Sequence, residues 1–351
     1  MSNAIQTQYN PNRDLNERLL AVGASKTVYA LVTPETEKTK RAVMSENETL
    51  EQCREAWTGK QDAYHEIFFD TWHEWAKPVV DLDRSLFPFY YPTNGASEAL
   101  RHVIFNHAAR QNHTIHVFEG EYEGYKAMAE AAGLVVKEHT RDGVEGWATV
   151  FGGRRNRIES RMGSRDLFFI SQPAAIDGMV WRDFNEFISK MPPNSVVIDL
   201  TYVGAVPENS IGWERFNMNA PAVHSVIFSL SKPFGAYYDR IGGIFTRKED
   251  PGLFGNKWFK NLLSLRLGTR LMQNHDVFYM SNRCHHWQQD AVLDIGEKLG
   301  FRLRASDVYM LARGQGEGEL AEYVRRTKGG DLRLCLTPFM ANEIGTKGPI
   351  A

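Results

Sequence analysis

The sequence predicts an α/β protein, with a large domain built on a mostly parallel sheet and a smaller α/β domain toward the C-terminus. Three observations carry this. From about residue 92, helical stretches alternate with short apolar runs of strand length, the pattern of a parallel sheet covered by helices on both faces. With 351 residues, the chain exceeds one typical domain and suits a large one plus a smaller one. After Pro251 the pattern changes again, to two long helical stretches and a short strand-rich tail.

Taken in order, residues 1–85 mix polar and helical stretches with aromatics such as Trp72, Trp75, Phe87 and Tyr90, and are expected to contribute to the smaller domain. The large domain is expected over residues 86–255. Within it Ala96 to Ala109 reads as a helix, Thr114 to Phe118 as a strand, and Tyr122 to Ala132 as a second helix. Strands follow at Leu134 to Lys137 and Leu167 to Ser171, with an amphipathic helix at Trp181 to Met191. Ser195 to Leu200, His224 to Leu230 and Ile241 to Thr246 complete the strand set. The smaller domain, 256–351, holds helices near 257–272 and 282–299 and a strand near 332–336.

Bulk properties exclude several classes. Hydrophobic content is 42% and charged content 24%, both ordinary for a globular protein. A formal net charge of −2 offers no general attraction to nucleic acid or an anionic membrane. No apolar run reaches the roughly 18 residues of a membrane span. The start Met1-Ser2-Asn3-Ala4 lacks a signal-peptide apolar region. Cys53, Cys284 and Cys335 are an odd, scattered set with neither metal spacing nor a disulfide framework, which reads as a reduced, cytoplasmic protein.

Ligands of open α/β sheets bind at the carboxyl ends of the strands, and four features fall there. Ser229-Leu230-Ser231-Lys232 ends an apolar strand, and Arg240 follows eight residues on. An amine there can act as a nucleophile if burial or neighbouring cations hold it off full protonation. The serines and the arginine suit a phosphate. A lone lysine in that position is more often a surface residue. Asp199 ends the β-branched run from Val196 and can pair with a protonated ring nitrogen, while Tyr202 can reach a ring oxygen; alone, such an aspartate is more often a turn cap. Gly95-Ala96-Ser97 opens a helix, a ready anion site or simply an N-terminus. Tyr122 follows a strand and can stack on a flat heteroaromatic ring or pack between helix and sheet.

In order and spacing these residues resemble the fold-type I enzymes dependent on pyridoxal 5′-phosphate (PLP), specifically the class I/II aminotransferase family, over roughly residues 86–340. Ser229, Ser231, Lys232, Gly235, Ala236, Arg240 and Gly242 fit that family's lysine signature. The resemblance implies that Lys232 holds PLP as a Schiff base, and that Ser229, Ser231, Arg240, Gly95, Ala96 and Ser97 contact or support its phosphate. It implies that Asp199 keeps the pyridine nitrogen protonated, that Tyr202 approaches the ring oxygen and that Tyr122 stacks on the ring. Arg333 matches the arginine that grips the substrate α-carboxylate.

Three departures touch the part of the site that chooses the reaction. Where the family has Asn-Pro-Thr-Gly, this chain reads Ala175-Ile176-Asp177-Gly178, so the ring-oxygen asparagine is Ala175, with Gln172 as the residue that could compensate. Tyr238 stands where the family prefers a small residue. The interval from Lys232 to Arg333 is also short.

The implied activity is conversion of an amino acid through an external aldimine and a quinonoid, with transamination first. The alternative is elimination, replacement or cyclisation on a side-chain-functionalised amino acid, as in lyases and cyclases of specialised metabolism. A non-catalytic PLP-fold binding protein is a third class, against which the intact lysine, aspartate and arginines argue. A homodimer is carried over from the family; no nucleic-acid, membrane or metal partner is expected. The basic stretch from Gly152 to Arg165 reads as a solvated loop or hairpin, and Cys284-His285-His286 as a helix surface or interface.

Overall fold

The computed structural model describes residues 12–58, 62–110, 114–141, 165–212, 214–259 and 262–345. The basic stretch falls almost wholly outside them; only its last residue, Arg165, is described. The strands are β1 (Val80–Asp81), β2 (Phe89–Asn94), β3 (Thr114–Phe118), β4 (Val135–His139), β5 (Leu167–Ser171) and β6 (Val196–Asp199). After them come β7 (Phe216–Asn217), β8 (Val223–Ser229), β9 (Ile241–Thr246), β10 (Arg302–Ala305), β11 (Leu311–Gln315) and β12 (Leu332–Cys335).

Seven of these form one sheet in the order β2-β9-β8-β6-β5-β3-β4. Its pairs are parallel except at β9, which runs antiparallel to both neighbours. Register aligns Ser171 with Asp199 and Asp199 with Ile227, so β5, β6 and β8 end almost level. Because β9 is reversed, its first residue, Ile241, lies at that same edge, opposite Asn94 at the end of β2. The functional edge thus collects the ends of β2, β5, β6 and β8 with the start of β9.

Successive residues of these strands point to opposite faces and enter different cores. Phe168, Ile170, Ile198, Val226 and Phe228 join one cluster with Phe68, Phe69 and Trp72 of the helix Asp62–Ala76. Leu167, Phe169, Val197 and Ile227 join the other, with Leu100, Val103, Ile104 and Tyr125. Both faces are therefore covered, which is why the strands read as near-continuous apolar runs. Trp72 stacks on Phe228 with ring centroids 4.2 Å apart.

Beyond β9, the helix Leu262–Asn274 packs on Asp62–Ala76 and Pro34–Ser45. Residues on both sides of a division at 85 and 255 thus pack together: Phe68, Phe69 and Trp72, expected with the smaller unit, lie on the large sheet. The helix Tyr279–Leu299 ends at the left-handed Gly300 and leads into the antiparallel sheet β10-β11-β12. Ser25 bridges to Cys335 of β12, so the segment after the first helix, Arg13–Ala21, is tied to this small sheet and runs toward the functional edge. No described helix is long and apolar enough to cross a membrane.

Candidate active site

At the functional edge lies a cleft of about 560 Å³. Ala96, Ser97, Tyr122, Asp199, Tyr202, Ser229, Ser231, Lys232, Arg240 and Arg333 all line it, although they are spread over more than 230 residues of sequence. Gly95 stands immediately behind them as the residue preceding the helix Ala96–Ala109.

One end of the cleft is built for an anion. Gly95 has φ +70°, and a β-carbon there would lie 3.0 Å from Arg240 Nη2. A β-carbon on Gly242 would lie 2.8 Å from the Gly95 α-carbon and 2.6 Å from the Phe228 carbonyl oxygen. Two glycines therefore let β9, the helix start and the guanidinium close on one another. Arg240, itself at φ +52°, donates to the Asn94 carbonyl at 2.6 Å and the Tyr237 carbonyl at 3.3 Å. Ser229 Oγ donates to Ser231 Oγ at 2.9 Å and accepts from the Ser231 N–H at 3.1 Å. A guanidinium, two hydroxyls and first-turn amides at the positive end of a helix suit a phosphate.

The middle of the cleft holds an acid and an amine. Asp199 is buried, and its carboxylate accepts from the Tyr125 hydroxyl at 2.9 Å and the Thr201 N–H at 2.9 Å. No cationic side chain pairs with it among the described residues. Burial raises its pKa above the usual carboxylate range, so a cation placed beside it would be held strongly. Burial likewise depresses Lys232 to about 8, and the nearby Arg333 adds to this. Its Nζ donates to the Val28 carbonyl, a contact supplied by the N-terminal segment. The buried Tyr202 phenol is pushed up to about 12, which keeps it a proton donor. Tyr122 is 41% exposed at the cleft wall, its ring edge-on to Tyr125 at 5.4 Å. These features fit PLP: an anion cradle at one end, an unneutralised buried carboxylate, and an amine partly free of its proton.

Another part of the lining gathers Lys26, Arg326 and Arg333 with Glu123. Arg333 is buried; it donates to the Ala175 carbonyl and, at 3.4 Å, to the Lys26 carbonyl, while its Nε has no partner. Lys26 sits 4.3 Å from the Tyr323 ring centroid, and Arg326 binds Glu123 and the Gly120 and Glu121 carbonyls.

Two sequence expectations need correction. Gln172 is fully buried and exchanges both amide hydrogen bonds with the Trp181 backbone, 3.0 and 3.1 Å, so it is not available to replace an asparagine at 175. Tyr238 is 84% exposed and does not crowd the cleft, which Tyr237 lines instead. Sequence reasoning also missed Tyr125, one helical turn after Tyr122, and the buried pair Glu121–Ser171, whose oxygens lie 2.6 Å apart. Among the described residues no group of three or more His, Cys, Asp or Glu side chains could hold a metal ion. Cys284 is buried on its helix, its thiol raised to about 12 by burial.

No family model matches the chain, and no curated protein matches it in sequence. Solved structures do match its fold. A Thermus thermophilus aspartate aminotransferase with maleate aligns with a TM-score of 0.62 at 14% identity, covering 98% of each chain. A PLP-bound C–S lyase from Staphylococcus hominis gives 0.63 at 11% identity over 98% of this chain and 94% of the other. A histidinol-phosphate aminotransferase from Clostridium acetobutylicum gives 0.56 at 11% identity over 91% of this chain and 97% of the other. The chain has the architecture of the fold-type I PLP-dependent enzymes.

Proposed function

We propose that this chain is a PLP-dependent enzyme acting on an amino acid, with transamination as its reaction. One observation carries the reading: a partly deprotonated lysine, Lys232, and an uncompensated buried carboxylate, Asp199, face one cleft whose end is lined for phosphate by Gly95, Ala96, Ser97, Ser229, Ser231 and Arg240.

In this reading Lys232 holds the cofactor covalently through Nζ, and Arg240, the serines and the helix start hold its phosphate. Bound PLP supplies the electron sink for the pair left when the substrate Cα–H bond breaks. Asp199 keeps a proton on the ring nitrogen, because a buried carboxylate without a cation is stabilised by gaining one. Tyr202, kept a proton donor by burial, would serve the ring oxygen, and Tyr122 on the cleft wall would cover a ring face. Arg333 exchanges its carbonyl partners for the substrate α-carboxylate, a better acceptor for a guanidinium fork. Lys232 Nζ, with its pKa lowered to about 8 and so near neutral pH, would serve as the base that accepts the Cα proton. A homodimer and a cytoplasmic setting belong to the same proposal.

Elimination, replacement or cyclisation is the second reading. Ala175 in place of an asparagine favours it, because ring tilt then depends on other donors; the C–S lyase likeness is consistent with it.

Borohydride reduction of the yellow holoenzyme followed by peptide mapping tests the core of the proposal. The label is expected on Lys232; label on another lysine, or none, overturns it. Absorbance with one amino acid in excess and no keto acid separates the two reactions. A transaminase loses its visible cofactor band in a single turnover and stops. Continued turnover with the band restored, and an eliminated or cyclic product, selects the second reading.

A further inference from the structure

We propose that the Ser171 hydroxyl, switched by the carboxyl of Glu121, is the hydrogen-bond donor that replaces the missing asparagine at the ring-oxygen side of the cleft. The inference rests on the PLP reading above. Ser171 ends β5 and lines the cleft together with Ala175 and Tyr202. Its Oγ accepts the Ala175 N–H at 2.7 Å and lies 2.6 Å from Glu121 Oε2. Glu121 also accepts from the Tyr122 N–H at 3.3 Å and the Ser171 N–H at 3.5 Å. The pair therefore stitches the end of β5 to the turn after β3 and fixes the position of Ala175.

A serine hydroxyl has one proton and two lone pairs. With Glu121 ionised, that proton points at the carboxylate, and Ser171 presents no donor to the cleft. With Glu121 protonated, the acid donates to Ser171 Oγ. The Oγ lone pairs are then filled by Glu121 and Ala175, and its own proton is left to point into the cleft. One proton on Glu121 thus decides whether a donor reaches the cofactor.

The surroundings allow both states near neutral pH. Glu121 is buried, and among the described residues no ion pair engages its carboxylate. Arg141 is the cation acting on it, and Arg141 is itself bound to Asp177 at 2.6 Å. Arg326 takes the Glu121 backbone carbonyl rather than the side chain, and is paired with Glu123. Tyr125, on the following helix, is neutral and committed to Asp199. Burial raises Glu121 to about 7, against the smaller opposing effects of Ser171 and Arg141.

The test is a pH titration of the visible absorbance of the holoenzyme, which reads the protonation of the imine bond at Lys232. A donor at the ring oxygen stabilises its anionic form and makes that bond easier to deprotonate. Ser171→Ala is expected to raise the midpoint by ~1 pH unit at unchanged PLP content. Glu121→Gln, whose amide donates permanently to Ser171 Oγ, is expected to lower it, and Ser171→Thr to restore the wild-type value. Shifts of Ser171→Ala and Glu121→Gln in the same direction would mean a purely structural support and overturn the proposal, as would an unmoved midpoint in Ser171→Ala. If Ser171→Ala does not fold, Glu121→Gln decides alone: a lowered midpoint supports the switch, an unmoved or raised one overturns it. Absence of any visible band in the wild type would overturn the PLP reading itself, whereas a Lys232-linked band insensitive to these variants overturns only the switch.

Discussion

At Asp199 the folded chain buries a carboxylate and supplies only neutral donors, Tyr125 and Thr201. That arrangement is costly unless a cation completes it. Asp199→Asn removes the preference for a protonated ring nitrogen while keeping shape. It should leave PLP content near normal and slow deuterium washout from the substrate Cα by ~100-fold or more. Washout at the wild-type rate would refute the role. Arg333 makes the complementary case, with a buried guanidinium held by backbone carbonyls and one nitrogen left over. Arg333→Ala should weaken amino-acid binding by ~2–5 kcal/mol with PLP content unchanged, measured by spectral titration with substrate. Unchanged affinity would move the carboxylate site elsewhere. Arg333 was reached only through the family resemblance, whereas Lys232, Asp199 and Ser229 were legible in the sequence because each ends or closely follows an apolar strand run. Tyr125 and the Glu121–Ser171 pair were not, because their partners lie 74 and 50 residues away and the side chains resemble ordinary core and turn residues.

Elements buried on two faces were the most legible. Ala96–Ala109, Thr114–Phe118, Leu167–Ser171 and Ile241–Thr246 form where their periodicity places them. β10 and β11 were missed: Arg302–Ala305 alternates apolar and charged residues only briefly, and Leu311–Gln315 carries an arginine and a glycine. The reversal of β9 was also illegible, since it is decided by how the 230–240 turn folds back rather than by strand composition. That reversal brings Gly242 against Gly95, the residue before the helix Ala96–Ala109. Both atoms nearest to a Gly242 β-carbon belong to the backbone, so neither can rotate away. Gly242→Ala should cost ~1–3 kcal/mol of stability by overpacking. Because the same contact positions Gly95 and Arg240, it should also lower PLP affinity, read by thermal melting and by cofactor titration of one preparation. A stable variant with normal PLP affinity would show that the close approach does not organise the cradle.

Over the whole molecule, the sheet edge concentrates ionisable groups whose burial the rest of the fold must offset, and these groups contribute to how stability varies with pH. Glu121 has a folded pKa of about 7 against an ordinary 4.5. A carboxyl raised in this way binds more protons folded than unfolded, so its favourable contribution is present at low pH and lost as pH rises through about 7. Asp199 is shifted in the same direction and adds to the loss. Lys232 is lowered from 10.5 to about 8 and acts oppositely, but its penalty is complete below about 8 and does not vary across the acidic window. The acids' share of the stability should therefore fall as pH rises from about 5 to about 7.5. His107, His116, His224 and His275, all lowered by burial, gain stability as pH rises and oppose it, so the Glu121 share is read as the difference between the wild type and Glu121→Gln. Glu121→Gln should recover part of that slope, on the order of 1–3 kcal/mol or a few degrees in Tm. PLP should stabilise the chain by mass action, remove the Asp199 share by placing a cation beside it, and enlarge the Glu121 share, since protonated Glu121 frees Ser171 to donate to the cofactor. Melting curves of the cofactor-free wild type, the cofactor-free Glu121→Gln variant and the wild-type holoenzyme across that range separate these contributions. A Glu121→Gln variant whose stability tracks the wild type at every pH would show that Glu121 is not held in its neutral form.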